Sequence, residues 1–145
     1  MFMSNEIEAL LPHRTPFLFV DEILSADDEK ITAVHTFTEK EFFFQGHFPQ
    51  YPVVPGVILI ETMAQSGGAG LRKLGKLGDN ELFFLATVDK VKFRRQVRPG
   101  DILRSEVVNL RVSARMIKQA GKAYVGDELA AEAEWLCLVS PREEA

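Results

Sequence analysis

Two rhythms run through this chain, one repeating about every two residues and one about every 3.6, and they divide it into strands and one long helix. The clearest alternation covers residues 131–139. Ala131, Ala133, Trp135, Cys137 and Val139 fall on one face, and Glu132 and Glu134 fall on the other before Leu136 and Leu138 take over. Segments 82–93, 102–112 and 116–125 carry similar apolar and β-branched patterns, separated by turn residues at Pro99-Gly100-Asp101 and Gly126-Asp127. They are predicted strands. Earlier, Phe17–Val20 and Ile31–Phe37 flank the polar Ala26–Glu29 connection, which predicts a hairpin.

The helical period occupies Pro55 to about Leu74, with Pro55 suited to the first turn and Gly75 to the stop. Val57, Ile58, Leu59, Ile60, Met63 and Ala64 leave its first half without a solvent face, so it should be covered by a sheet and by a second subunit. A shorter helix is expected from a cap at Asn5 through Leu11, stopped by Pro12. Strands wrapped around one long central apolar helix predict an α+β fold, with residues 1–145 forming one domain.

Composition narrows the classes. The 145 residues are 46% hydrophobic and 26% charged, which suits a folded chain with its own core. The formal charge of −4 disfavours nucleic acid as a partner, since phosphate binding rests on excess Lys and Arg. No stretch approaches the ~20 apolar residues of a membrane span, and no basic-then-apolar leader precedes Leu10, so a soluble cytoplasmic protein is expected. The single cysteine, Cys137, sits in a buried-strand pattern and receives no catalytic role. His13, His35 and His47 lack the spacing of a metal motif, and no glycine-rich nucleotide loop is present, so neither a metal nor another cofactor is expected.

Three places carry candidate chemistry. Gln45-Gly-His-Phe-Pro49 presents His47, an imidazole able to take or give a proton, on a loop restricted by Gly46 and Pro49. It is either a base or a histidine that hydrogen-bonds a nearby carbonyl. Glu61 has Val57, Ile58, Ala64 and Gln65 as its helical neighbours, a costly setting for an unpaired carboxylate. It either belongs to a buried ion pair or has a raised pKa, which suits a general acid. Between them, Tyr51-Pro-Val-Val-Pro-Gly56 leads into the helix start, where free N–H groups favour developing negative charge and Gly56 permits close approach. A fourth feature is a basic stripe, Lys90, Lys92, Arg94 and Arg98, expected on one face of an alternating segment.

Several motifs together resemble the FabZ-type hydroxyacyl-carrier-protein dehydratases. They are Leu11-Pro-His-Arg-Thr-Pro-Phe-Leu-Phe-Val-Asp21, Phe43-Phe-Gln-Gly-His-Phe-Pro49, Val54-Pro-Gly-Val57, Glu61-Thr-Met-Ala-Gln65, Asp89-Lys-Val-Lys-Phe-Arg94 and Arg98-Pro-Gly-Asp101. The glutamate at 61 resembles this type rather than its longer, isomerising relative. The resemblance implies a hotdog fold, a homodimer that commonly assembles as a trimer of dimers, and His47 of one subunit facing Glu61 of the other. It also implies an acyl carrier protein as partner, for which the basic stripe offers a docking face. Thr87 and Tyr51 depart from the family pattern, which bears on chain length and tunnel shape. Two other activities fit a hotdog chain: hydrolysis of an acyl thioester, and non-catalytic binding of acyl chains.

Overall fold

The computed structural model describes residues 2–141. Helix α1 (Phe2–Leu10) leads into strands β1 (Glu22–Ala26) and β2 (Lys30–Thr36), a short 3-10 helix (Phe42–Gln45) and the long helix α2 (Gly56–Lys73). Strands β3 (Glu81–Phe93), β4 (Ile102–Val112), β5 (Met116–Val125) and β6 (Glu128–Pro141) follow. All pair antiparallel in one six-stranded sheet of order β1-β2-β4-β5-β6-β3. Helix α2 touches every strand of it. Bulges within the β1–β2, β4–β5, β5–β6 and β3–β6 pairs add local twist and help the sheet curl about the helix. This is the hotdog fold.

The alternation in β6 is what packs the helix. Ala131, Ala133, Trp135 and Cys137 are buried and meet Ile58, Leu59, Met63 and Ala64 of α2 in one core. Lower down, the helix sinks into the sheet because it has no side chains in the way. A Cβ at Gly67, Gly68 or Gly70 would collide with Gln119, Phe83 or Ile31. The helix ends as its sequence predicts. Gly75 takes a left-handed φ of 78°, and the N–H groups of Gly75 and Lys76 close back on the carbonyls of Arg72 and Leu71.

Two expectations change. Phe17–Val20 is not a strand, because its backbone is claimed by a helix side chain: the Phe19 N–H donates to Gln65 Oε1 (2.8 Å) and the Phe17 carbonyl accepts from Gln65 Nε2 (3.1 Å). The hairpin instead begins after Asp21, whose N–H bonds Val34, and pairs β1 with β2. Helix α1 starts one turn early, placing Asn5 inside it rather than at its cap; an interior Asn costs only tenths of a kcal/mol, about 0.7 at most relative to Ala. The part of α2 left uncovered in the single chain is at Val57, 71% exposed, where the sequence calls for a second subunit.

Candidate active site

His47 lies just beyond the 3-10 helix, and the local hydrogen bonds fix it. Its N–H donates to the Phe43 carbonyl (3.0 Å), its carbonyl accepts from the Val53 N–H (2.9 Å), and the ring stacks on Phe48 at 4.3 Å. Ring Nδ1 lies 3.0 Å from the Val53 carbonyl. A carbonyl only accepts, so Nδ1 carries a hydrogen, and in the neutral ring the lone pair is on Nε2. The carbonyl bond foreseen in one reading of His47 is therefore present, and it leaves the other ring nitrogen unoccupied.

Glu61 sits in the second turn of α2, in a half-buried setting. Its Oε2 accepts from Gln65 Nε2 at 2.9 Å and lies 3.6 Å from His13 Nε2. Burial raises the Glu61 pKa above the usual carboxylate range, against the opposing pull of the Gln65 amide. Burial likewise lowers the His13 pKa, helped by the charges of Arg72 and Arg14. Both shifts disfavour the charged forms, so the 3.6 Å approach is a weak ion pair at best and Glu61 retains the character of an acid. Gln65, fully buried, is the bracket of this site, joining Glu61 to Phe17 and Phe19.

Neither Gln65 nor His13 was singled out by sequence reasoning. Gln65 had a signal, since a donor four residues after a carboxylate on a helix lies beside it. His13 had none. Its ring also packs near Phe83 at 5.8 Å, a meeting of distant segments.

Gly56 opens α2 with Pro55 as its cap residue. Its N–H finds no backbone acceptor among the described residues and is one of the free donors of a helix start. A Cβ here would stand 2.8 Å from Phe93 Cζ, so the glycine lets that aromatic ring lie against the helix end. A cleft of about 370 Å³ opens at this point, lined by Val53, Val54, Gly56, Val57, Phe93 and Val97. Within one chain, no hydrogen bond or ion pair among the described residues joins His47 to Glu61.

Lys90, Lys92 and Arg94 gather along the face of β6 that carries Glu132 and Glu134, and Arg98 follows in the loop beyond β3. The β3–β6 register slips between Asp89 and Lys92, Lys90 adopts a φ of 53°, and β3 ends at Phe93. Lys90 meets Glu134 at 3.4 Å and Arg94 meets Glu132 at 2.7 Å, while Arg98 lies 4.0 Å over the ring of Tyr51. Tyr51 also donates through its hydroxyl to Gln96 (2.8 Å). Thr87 is exposed on β3 opposite Leu136. Cys137 is buried beneath the helix, and burial, with Glu61 nearby, pushes its thiol up to about 12, which removes it as a nucleophile at neutral pH.

The solved dehydratase heterocomplex ApeI:P from Xenorhabdus doucetiae has the same fold, with a TM-score of 0.77 at 18% identity, covering 95% of this chain and 91% of that one. A family model described as a FabA-like domain matches residues 11–134. The 3-hydroxyacyl-[acyl-carrier-protein] dehydratase FabZ of Pelotomaculum thermopropionicum is 48% identical over 140 residues, 96% of this chain and 99% of that protein. The FabZ of Desulforamulus reducens is 45% identical over 143 residues, 98% and 100% of the two chains. The chain belongs to the FabA-like family, in its FabZ branch.

Proposed function

We propose that the protein removes water from a (3R)-hydroxyacyl chain held as a thioester on acyl carrier protein, giving the trans-2-enoyl thioester in fatty acid biosynthesis. The observation that carries this reading is the Glu61 carboxyl, half-buried and raised in pKa, in a chain similar over its full length to proteins named for the reaction. His47 Nε2 takes the C2 proton, and the electron pair forms the C2–C3 double bond as the C3–O bond breaks. Glu61 gives its proton to the departing hydroxyl, which leaves as water. The Gly56 N–H bonds the thioester oxygen while enolate charge builds there. Proton return from His47 to Glu61 through water then resets the pair.

The base and the acid come from different subunits of a homodimer in this reading. Its support is the separate bonding of His47 and Glu61 within one chain, together with an edge strand that leaves Phe84, Leu85 and Val88 exposed and the exposed Val57 at the start of α2. Lys90, Lys92, Arg94 and Arg98 would steer the acidic carrier, with Lys90 and Arg94 exchanging their Glu134 and Glu132 partners for it.

The test follows a 3-hydroxyacyl carrier-protein thioester by mass spectrometry with wild type, His47→Ala and Glu61→Gln. Loss of one water, thioester intact, by wild type alone supports the reading. Release of free acid would replace it with thioester hydrolysis, and near-normal turnover in either variant would remove that residue's role.

A further inference from the structure

An ion cluster centred on the buried His35, which this mechanism does not use, lies between the segments that carry the two halves of the site. His35, on β2, is 5% exposed and both ring nitrogens are engaged: Nδ1 lies 2.8 Å from Asp21 Oδ1, and Nε2 lies 3.0 Å from Glu41 Oε2. Ionised carboxylates accept only, so an imidazole bonded to two of them carries both hydrogens and a positive charge. The rings of Phe19 and Phe37 flank it at 5.8 and 4.6 Å, and Phe43 packs on both. The carboxylates are fixed in turn. Asp21 Oδ2 accepts from the Thr36 N–H (2.7 Å), and Glu41 Oε2 from the Thr38 N–H (3.4 Å). Glu8 and Lys40 are the other charged groups lining the adjoining cleft.

Each arm of the cluster leads to one reacting group. Glu41 directly precedes the 3-10 helix, whose Phe43 carbonyl accepts from the Gly46 and His47 N–H groups at 3.2 and 3.0 Å. Asp21 lies two residues beyond Phe19, whose N–H is held by Gln65, the same side chain that donates to Glu61. We infer that His35, as an imidazolium clamped between Asp21 and Glu41, is a positioning residue for the dehydration, locking the segment that carries His47 to the segment that braces Glu61. This rests on the dehydratase reading above. Burial alone would lower the His35 pKa, but the hydrogen bonds and charges of Asp21 and Glu41 prevail and raise it to about 9. A raised histidine pKa means that the clamp is complete below its ordinary value of 6.5 and is lost as pH rises through about 9.

The experiment measures kcat and KM on the carrier thioester for wild type, His35→Gln, His35→Lys and Glu41→Gln, with circular dichroism to confirm folding. His35→Gln removes the cation and is expected to lower kcat roughly 10–100-fold, as a misplacement of about 1 Å does, with KM within about 2-fold. His35→Lys restores a cation and should recover kcat to within about 5-fold. Because an ordinary Lys titrates near 10.4, it should also lack the extra wild-type decline near pH 9. Glu41→Gln keeps the His35–Asp21 pair and cuts the arm to His47, so it decides the matter should His35→Gln not fold; a kcat loss of about 10-fold is expected. An active wild type whose His35→Gln and Glu41→Gln variants keep both kcat and the alkaline profile overturns the positioning role alone. A Lys variant that folds yet stays as slow as Gln also overturns it. A wild type that dehydrates nothing overturns the dehydratase reading and this inference with it.

Discussion

Replacing Gln65 by Met keeps the volume of a fully buried side chain and removes three hydrogen bonds at once. The Phe19 N–H is buried and loses its acceptor outright, at a cost of about 1–3 kcal/mol. The Phe17 carbonyl and the Glu61 carboxyl are only partly buried, and water recovers some of their loss. The expected destabilisation is therefore about 2–4 kcal/mol, which leaves a folded protein if its stability is in the usual range of about 5–15 kcal/mol. The change also moves a proton. Gln65 supports the charged form of Glu61, so its loss lets burial raise that pKa further. An acid whose folded pKa is raised favours the fold at low pH and loses that advantage as pH rises through the folded pKa. Urea unfolding at pH 5 and pH 8 should show the greater loss at the higher pH, and the descending limb of the kcat profile should shift upward. A loss below about 0.5 kcal/mol, or a limb that moves downward, would refute the account of Gln65 as the bracket of Glu61.

Gly121→Ala would place a Cβ 2.6 Å from Trp135 Cη2 and 3.1 Å from Met63 Sδ, both fully buried and unable to turn aside. A loss of about 1–3 kcal/mol in denaturant unfolding is expected, and an unchanged midpoint would mean that the core yields more easily than its packing indicates. Cys137, at 2% exposure and with its thiol pushed up to about 12, should resist iodoacetamide at pH 8 until the protein is unfolded; rapid labelling of the native chain contradicts this. Reversing Lys90 and Arg94 to Glu should raise KM for the carrier-bound substrate at low salt and converge with wild type as salt screens the contact. A KM unaffected at low salt would take those residues out of the docking face.

Much of the fold was legible because it is written in local periods. The alternation of β6 named the buried faces of Ala131, Ala133, Trp135 and Cys137, and the Pro55 and Gly75 boundaries bracketed α2 to within a residue or two. The unusual setting of Glu61 was also legible, since helical neighbours follow from spacing alone. What the sequence left undecided lies where distant segments meet. Phe17–Val20 has the residues of a strand, yet Gln65 reaches its backbone first and keeps it out of the sheet. His13 meets Glu61, and His35 collects Asp21 and Glu41 from 14 and 6 residues away, without any local pattern to announce it. The slip in pairing between β3 and β6 was not legible either, although Lys90, Lys92 and Arg94 still gather beside Glu132 and Glu134. Propensity and period act over a few neighbouring residues, so the sequence by itself determined the elements and their apolar faces. Burial, register and charge pairing depend on which elements pack together, so only the tertiary structure decided how Glu61 is held, which nitrogen of His47 is free and that His35 is clamped between two carboxylates.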